Sequence, residues 1–245
     1  ALPIFMDYYR DSEDGQAQAD LNRLMDGTFS NQEAGMPEGT VHSELLRRPG
    51  KLYVLASHFH PDHFNKEVLQ WREQRPDIIY IFSKDILRHR RAQKEDAVWL
   101  KKGEEYKDET LSVRAFGSTD VGVSFLLQTG GKKIFHAGDL NNWHWMDEST
   151  EAEWKGAEKN FLHELDDLYA YTPEVDVAMF PVDPRLGKEY MRGAGQFVTK
   201  IKTHIFVPMH FTPEYAKANA FRDFAEAHGV RFVSLTHRGQ KIEIE

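Results

Sequence analysis

Three histidines and one aspartate lie within six residues of a single segment, from His58 to His63. Imidazole nitrogens and carboxylate oxygens are ligands for zinc and related cations, and such sites need several of these groups around one point. In an extended or turning segment His58 and His60 point to the same side, since alternate residues share a face. Beyond the rigid Pro61, Asp62 and His63 can turn toward a second point nearby. The spacing therefore predicts a site for one or two metal ions, and a histidine-rich surface loop is the simpler alternative.

The composition narrows the kind of protein that can carry such a site. The chain has 245 residues, of which 40% are hydrophobic, so it is long enough for one large α/β domain or two small ones. It contains no cysteine, which excludes disulfides and thiolate ligands and fits a reducing compartment. No internal repeat, low-complexity segment or long linker is evident, and we therefore expect a single domain spanning residues 1–245.

Charge and hydropathy indicate which partners to expect. The sequence has no run of about 18 apolar residues and no basic-then-apolar leader, so neither a membrane span nor a signal peptide is predicted, and we expect a cytoplasmic location. A formal net charge of −8 works against a broad phosphate-binding surface. The basic segment 88–94 is predicted to be one solvated helix face. We expect a small-molecule substrate and no nucleic-acid or membrane partner, and we make no prediction of the oligomeric state.

Short apolar segments rich in β-branched residues predict a series of strands. Their continuity indicates strands that are covered by other layers of the protein. The predicted strands are residues 51–57, 77–83, 111–116, 121–129, 132–138, 175–182, 204–210, 230–235 and 241–245.

Helices are predicted between several of these strands. One begins at a capping box on Thr150, carries an apolar stripe and ends before Pro173. Another is predicted over residues 212–229, with Phe221 and Phe224 pointing inward. Helices and strands alternate in both halves of the chain around a β-rich middle. This order predicts two sheets sandwiched between helices.

Two further strands end in residues that are suited to metal binding. Asp139 follows the segment 132–138, where small residues let the backbone turn closely, and His210 ends the segment 204–210. Each has an ordinary alternative, a turn aspartate in one case and a buried, hydrogen-bonded histidine in the other. Because sites of α/β proteins lie at strand ends, we expect both to meet the histidine cluster.

These motifs together resemble the metallo-β-lactamase superfamily of metal-dependent hydrolases. The hallmark HxHxDH of that family stands here as His58, His60, Asp62 and His63. Its later aspartate, within a short Gly-Asp turn, matches Asp139, and its final histidine, at the end of a late strand, matches His210. The segment PIFMDYY resembles the strand end that carries an early structural aspartate, here Asp7.

The resemblance implies an α/β fold, a four-layer αββα sandwich of the metallo-β-lactamase type with the metals at one edge between the sheets. Within the superfamily, the segments FHAGDL, FPVDPR and VPMHF are most similar to the branch related to L-ascorbate 6-phosphate lactonase. The strands that usually precede the early aspartate are absent from this sequence.

One departure from the family pattern concerns the first metal. The family supplies a third histidine from a loop before the Gly-Asp turn, and Ser118 and Thr119 stand where it is expected. His136, three residues before Asp139, either completes the site or orients Asp139 from outside the ligand set, and we favour the second role. Asp120 is a further candidate ligand.

The resemblance also implies roles for the site residues. Asp139 would bridge two ions, and Asp62 would be the catalytic residue that positions or deprotonates the attacking water. The expected cofactor is one or two divalent transition metal ions, with zinc as the first choice and manganese or iron as alternatives. The ligand sets are His58 and His60 for one ion, and Asp62, His63 and His210 for the other.

Substrate contacts are suggested by two segments. Trp143 and His144 follow Asp139 and either form a pocket wall, with His144 as an acid, or cover the core. Arg185 either clamps a phosphate or carboxylate bidentately or forms a structural turn with Asp183.

Three functions are compatible with these residues. The leading hypothesis is a hydrolase that acts on small, anionic phosphorylated, lactone or ester substrates. A phosphodiesterase acting on nucleotides, RNA or phospholipid headgroups is the enzymatic alternative. It would need a basic groove, and the acidic composition of this chain does not indicate one. A non-catalytic metal-binding protein is the alternative from a different class, since the missing third histidine would then reflect lost activity.

Overall fold

The apolar segments of the sequence form strands in two separate sheets. The structure is a computed structural model that describes residues 3–8, 41, 43–211, 214–237 and 239–243. The first sheet has the strand order β1-β2-β3-β4 with all neighbours parallel. Its strands are β1 (Ile4–Met6), β2 (Tyr53–Ala56), β3 (Ile79–Ser83) and β4 (Val98–Leu100).

The second sheet has seven strands in the order β11-β10-β9-β8-β7-β6-β5. From β5 to β8 the neighbours are antiparallel, and from β8 to β11 they are parallel. Its strands are β5 (Glu105–Lys107), β6 (Ser112–Phe116), β7 (Ser124–Thr129), β8 (Lys132–His136), β9 (Glu174–Pro181), β10 (Lys202–Met209) and β11 (Arg231–Phe232).

Helices cover the outer faces of both sheets. The α-helices of the described residues are α1 (Ser43–Leu46), α2 (Lys84–Arg88), α3 (Glu151–Tyr171), α4 (Arg192–Lys200), α5 (Tyr215–Asn219) and α6 (Arg222–Ala227). The same part of the chain contains three 3-10 helices, Lys66–Glu73, Lys94–Asp96 and Pro184–Glu189. None of the helices in the described ranges is both long and apolar enough to cross a membrane.

Three core clusters define the layers. Between the sheets, Leu55 of β2 packs in one cluster with Phe125 of β7. Outside the first sheet, strand residues such as Phe82 pack with Trp71 of the first 3-10 helix. Outside the second sheet, α3 and α4 cover β9 and β10, with Phe161 of α3 in the same cluster. The predicted four-layer αββα sandwich is therefore confirmed.

Helix α3 forms as its sequence predicts. Thr150 accepts a hydrogen bond from the Glu153 backbone N–H, and the Glu153 side chain caps the Thr150 backbone in return. Its stripe buries Phe161, Leu165 and Leu168 against the second sheet. Such reciprocal capping satisfies backbone groups that would otherwise lack partners at a helix start.

Other predicted elements are wrong in detail. The predicted helix over 212–229 is split into α5 and α6; Phe221 is buried but Phe224 is 43% exposed, and residues 212–213 lie outside the described part. The basic segment 88–94 is not one helix face, because α2 ends at Arg88 and Arg90 takes a positive φ of 55°. Residues 241–243 form no strand, and residues 244–245 lie outside the described ranges.

Candidate metal centre

The predicted ligands meet at one edge of the sandwich because they follow strands that run in the same direction. His58 follows β2 of the first sheet, whereas Asp139 follows β8 and His210 follows β10 of the second. Strands β8, β9 and β10 are parallel, so their carboxyl ends lie side by side. The structure thus brings together residues that are as much as 152 positions apart in the sequence, from His58 to His210 (210 − 58 = 152).

Asp139 lies at the middle of the cluster. Its Oδ2 is 3.2 Å from Nε2 of His58, and its Oδ1 is 3.0 Å from Nε2 of His63 and 3.3 Å from Nε2 of His210. The two carboxylate oxygens therefore face different histidines, as a residue shared by two ions would. Three groups have ligand atoms within 4.8 Å of one another: His58, His60 and Asp139; His58, Asp62 and His63; and His63, Asp139 and His210.

The donor atoms fit a divalent transition metal. His58 Nε2 and Asp139 Oδ1 are both buried. Each has a polar atom within 3.2 Å, but neither makes a hydrogen bond of acceptable geometry. A buried polar atom without a partner is costly, and native structures contain few of them. Imidazole nitrogens around a buried carboxylate are the ligands that zinc, manganese and iron accept. A bound cation would satisfy both atoms.

Asp7 fixes the histidines of the first sheet from outside the cluster. It accepts hydrogen bonds from the Ser57 backbone N–H at 2.6 Å, the Ser57 hydroxyl at 2.5 Å and His63 Nδ1 at 2.7 Å. Since the Ser57 hydroxyl donates to Asp7, its oxygen can accept from His58 Nδ1, 3.0 Å away. Both histidines are thereby held at Nδ1, which leaves Nε2 to face Asp139.

Asp183 plays the same part for His210. This buried carboxylate follows β9 and lies 2.9 Å from His210 Nδ1 through Oδ2. It also binds the Arg185 side chain, with 2.6 Å between Oδ2 and Nη2, and accepts from the Arg185 backbone N–H. The sequence motif had suggested Asp183 only as the partner of Arg185, and the link to His210 depends on β9 lying beside β10.

The charges of the cluster are strongly coupled. Burial raises the pKa of Asp139, but the imidazoles of His210, His58 and His63 close to its carboxylate outweigh burial and hold that pKa far below its usual range. Burial lowers the pKa of His63, but the Asp7 and Asp139 carboxylates outweigh it and raise that pKa to about 10. Burial also lowers the pKa of His210, but the Asp139 and Asp183 carboxylates outweigh burial and raise that pKa to about 9. The carboxylates around these imidazoles therefore favour a positive charge at the centre of the cluster.

His60 is held less firmly than the other three histidines. Its side chain is 35% exposed, and its Nδ1 lies 3.7 Å from the Asp120 carboxylate, too far for a hydrogen bond. Thr119, in the loop where the third histidine was expected, instead binds Asn141 through its hydroxyl, which donates to the carbonyl and accepts from the N–H. This loop therefore ties itself to the segment after Asp139, and Asp120 is the residue of the loop that comes near His60.

His136 is buried beside the cluster but belongs to none of the three ligand groups found among the described residues. Its Nδ1 accepts a hydrogen bond from the Gly138 N–H at 3.2 Å and lies 3.8 Å from Asp7 Oδ2. Burial lowers the pKa of His136. It is thus placed to orient Asp139 through the backbone of Gly138, and its predicted role outside the ligand set stays a prediction.

Trp143 and His144 have different surroundings. The Trp143 indole N–H donates to the Asp139 carbonyl at 2.8 Å, and its ring lies 5.6 Å from that of His210. His144 is buried; its Nδ1 accepts from the Met146 N–H, and its Nε2 lies 3.1 Å from the Glu189 carbonyl. Both nitrogens of His144 are therefore occupied by backbone groups. This arrangement favours the alternative in which His144 covers the core, and its contact with substrate as an acid stays a prediction.

A cavity of about 470 Å³ adjoins the cluster. Asp62, His63 and His210 line it, together with Asp183 and Arg185. The Asp62 side chain is 51% exposed and its Oδ2 lies 3.5 Å from His63 Nε2. Arg185 forms the structural turn with Asp183, yet its side chain is 64% exposed. The structural turn and the substrate contact proposed for Arg185 are thus compatible, because a guanidinium bound to Asp183 still has N–H donors that can face the cavity.

Comparison with known proteins gives a consistent result. The family described as "Beta-lactamase superfamily domain" matches residues 40–211. No curated protein matches the chain. Among solved structures, the metallo-β-lactamase fold protein YhfI from Bacillus subtilis has a TM-score of 0.53 at 13% identity, with 82% of this chain and 79% of that chain covered.

Two similar structures are named as metallo-hydrolases. Igni18, a metallo hydrolase from the archaeon Ignicoccus hospitalis KIN4/I, has a TM-score of 0.51 at 16% identity and 75% coverage of both chains. A protein named as a metal-dependent hydrolase from Parabacteroides distasonis ATCC 8503 has a TM-score of 0.50 at 17% identity and 80% coverage of both chains. At these identities the likeness concerns the fold.

Proposed function

Because the chain belongs to the beta-lactamase superfamily, we propose that it is a metal-dependent hydrolase with its active site at the His58 to His63 segment. One observation carries the proposal: Nε2 atoms of three histidines surround the Asp139 carboxylate, and two of the buried atoms there have no hydrogen-bond partner. A structural histidine cluster would be expected to satisfy its buried donors and acceptors internally.

The residues divide into two ligand sets that share Asp139. His58, His60 and Asp139 would hold one ion, and His63, Asp139 and His210 would hold the other, with Asp62 beside the second set. Nitrogen and oxygen ligands favour zinc as the first choice, with manganese and iron as alternatives. The outer carboxylates Asp7 and Asp183 would keep the imidazoles in the tautomer that ligation requires.

Asp62 is the residue best placed to handle a proton in the reaction. When bound, a divalent transition metal lowers the pKa of a coordinated water toward neutrality and polarises the bond under attack. The Asp62 carboxylate reaches both the cavity and the edge of the ligand cluster, 3.5 Å from His63 Nε2 and 3.9 Å from His210 Nε2. It would orient the attacking water or accept its proton.

The substrate that fits this site is small and anionic, either phosphorylated, a lactone or an ester. A volume of about 470 Å³ suits a small molecule, and Arg185 at its rim offers guanidinium donors to a phosphate or carboxylate. Resemblance of the sequence to the branch related to L-ascorbate 6-phosphate lactonase supports the same class. We further propose a cytoplasmic location, for which the absence of cysteine is the supporting observation.

The test combines a substrate panel with metal reconstitution. Protein stripped of metal and reloaded with zinc, manganese or iron would be assayed on lactone, ester, phosphomonoester and phosphodiester panels. We expect metal-dependent turnover of a small anionic substrate. The His58→Ala, His60→Ala double variant should lose bound metal, as measured by elemental analysis. Equal metal content in the double variant and the wild type would contradict the site assignment.

Asp62→Asn then separates catalysis from metal binding. The variant should keep the fold and much of the metal but lose turnover by about 100-fold or more, because a group that positions or deprotonates the water is neutralised. Full activity in Asp62→Asn would contradict the role of this carboxylate.

One observation favours a second candidate, a metal-binding protein without hydrolytic activity. Thr119 stands where the family supplies a histidine, and its hydroxyl is engaged by the Asn141 backbone. Stoichiometric metal without turnover on any panel would support this alternative. Selective turnover of phosphodiesters would instead support the phosphodiesterase hypothesis.

A further inference from the structure

Phe59 lies between two of the proposed ligands, His58 and His60, and is held by helix α2. Its backbone N–H donates to Asp85 Oδ2 at 3.0 Å. Its ring stacks on the His89 ring, with centroids 3.7 Å apart and planes 14° apart. Asp85 and His89 are one helical turn apart, so a single face of α2 contacts both the backbone and the ring of Phe59.

Asp85 of α2 and His89, which directly follows α2, are themselves fixed. Asp85 is buried, and its other oxygen, Oδ1, has no hydrogen-bond partner among the described residues. His89 is anchored through Nδ1, which lies 2.9 Å from the Asp85 carbonyl. Burying a carboxylate costs free energy unless hydrogen bonds or an opposite charge compensate for the lost solvation. Among the described residues, the Phe59 backbone N–H is the one hydrogen-bond partner of this carboxylate, and it ties Asp85 to the metal-binding segment.

The contact matters because of His60. The other three histidines have a polar partner at Nδ1 within 3.0 Å, whereas the nearest carboxylate of the described residues, that of Asp120, is 3.7 Å from His60 Nδ1. The His60 ring instead packs on Phe59, with centroids 4.5 Å apart. The Phe59 ring therefore contacts both the His89 ring and the His60 ring. The position of His60 depends on a neighbour that α2 holds in place.

We propose that Asp85 and His89 are positioning residues for the metal site formed by His58, His60 and Asp139. Asp85 sets the backbone between the two histidines, and His89 sets the ring against which His60 rests. This inference rests on the proposed function only in assigning His58 and His60 as ligands. It predicts that metal affinity depends on one residue of α2 and on the residue that follows α2, both outside the ligand groups found among the described residues.

The test is a metal titration of purified protein in competition with a chromophoric chelator. His89→Ala and Asp85→Ala should each weaken one zinc-binding step by about 10- to 100-fold, the range for groups that orient ligands. A second step, where present, should keep its affinity because His63 and His210 are held elsewhere. His89→Phe, which keeps a stacking ring, and Asp85→Asn, which keeps an acceptor oxygen, should restore most of the loss.

A matched control exists on the other side of the protein. His228 follows α6, contacts the Phe224 carbonyl through Nδ1 at 2.8 Å and stacks on the Phe224 ring at 4.3 Å. It thus repeats the local geometry of His89 without a proposed ligand beside it. His228→Ala should leave both the zinc affinity and its steps unchanged. An equal loss in His228→Ala, or Phe and Asn variants no better than the alanine variants, would overturn the proposal.

A second measurement does not need metal at all. In the metal-free protein, hydrogen exchange at the Phe59 amide should accelerate in Asp85→Ala and stay slow in Asp85→Asn and His228→Ala. If Asp85→Ala fails to fold, the zinc affinities of His89→Ala and His89→Phe decide instead, because His89 is exposed. Wild-type protein that binds no zinc contradicts the proposed function, whereas unchanged exchange in a folded Asp85→Ala variant contradicts the role of α2.

Discussion

Replacing Asp7 by asparagine should change which nitrogen of His63 carries the proton. Asp7 accepts three hydrogen bonds, two from Ser57 and one from His63 Nδ1. An asparagine amide can accept at one atom only. If its oxygen keeps the Ser57 backbone N–H, its NH₂ group faces His63 Nδ1, which must then be an acceptor. The ring proton moves to Nε2, the nitrogen that faces Asp139 and would bind the metal.

The magnitude follows from the bonds that are lost. A hydrogen bond to a charged group contributes about 1.5–3 kcal/mol. Removing a partner that orients a metal ligand costs about 10- to 100-fold in metal affinity, which corresponds to about 1.4–2.8 kcal/mol. The two ranges agree, so we expect Asp7→Asn to weaken zinc binding by about 10- to 100-fold. Burial raises the pKa of Asp7, but His136 and His63 outweigh burial and lower that pKa to about 2. The carboxylate is therefore ionised at the neutral pH of the assay.

The assay is chelator competition at neutral pH, with thermal unfolding recorded on the same samples. Asp108→Asn is the control, because Asp108 also accepts several hydrogen bonds, from the Tyr53 and Tyr106 hydroxyls and the Thr110 and Leu111 backbones. It belongs to none of the ligand groups found among the described residues. Asp108→Asn should lower stability while leaving zinc affinity intact. Wild-type affinity in Asp7→Asn, or an equal loss in the control, would refute the tautomer argument.

Three further perturbations test other parts of the structure. Gly122→Ala should destabilise the fold by at least about 1–3 kcal/mol in urea unfolding, because φ is +75° and the new Cβ would lie 2.1 Å from the Ser57 carbonyl oxygen. His136→Ala should weaken zinc binding by about 10- to 100-fold in chelator competition, and direct bonding of His136 to the metal in a crystal structure would contradict its placement outside the ligand set. Burial raises the pKa of Asp108, but hydrogen bonds from Tyr53 and the Thr110 backbone outweigh burial and depress that pKa. The stability that Asp108 adds is therefore present above its unfolded pKa of about 4 and lost as pH falls, so the difference between wild type and Asp108→Asn should shrink from pH 7 to pH 3.

The fold was predictable where local and tertiary signals agree. The capping box at Thr150 and the apolar stripe that follows it predicted α3 because the same residues satisfy the helix start and the core. Over 212–229 the apolar residues suggested one helix, but the structure divides the described part at Ala220, which leaves Phe224 half exposed. The three-residue strands β4 and β5 were missed, since so short a segment carries too little periodicity to be recognised.

The site was predictable as a set of residue types but not as a network. Spacing alone singled out His58, His60 and His63, because ligand-type residues at such short intervals in one segment can converge on one point. The partners that hold them cannot be found in this way. Asp183 reaches His210 only because β9 and β10 are neighbours, and Asp85 reaches Phe59 only because α2 packs behind the metal-binding segment.

The geometry of the centre also explains why its two halves need different supports. His63 and His210, which face Asp139 Oδ1, are each bound at Nδ1 by a buried carboxylate that comes from a different strand end. His58 has the Ser57 hydroxyl, which Asp7 orients in turn. His60 has no such polar partner within 3.0 Å in the part of the chain that the structure describes, where packing sets its position. Packing restrains a ring less directionally than a charged hydrogen bond does, and so the half of the site that contains His60 is the one whose affinity depends on residues beyond the ligand set.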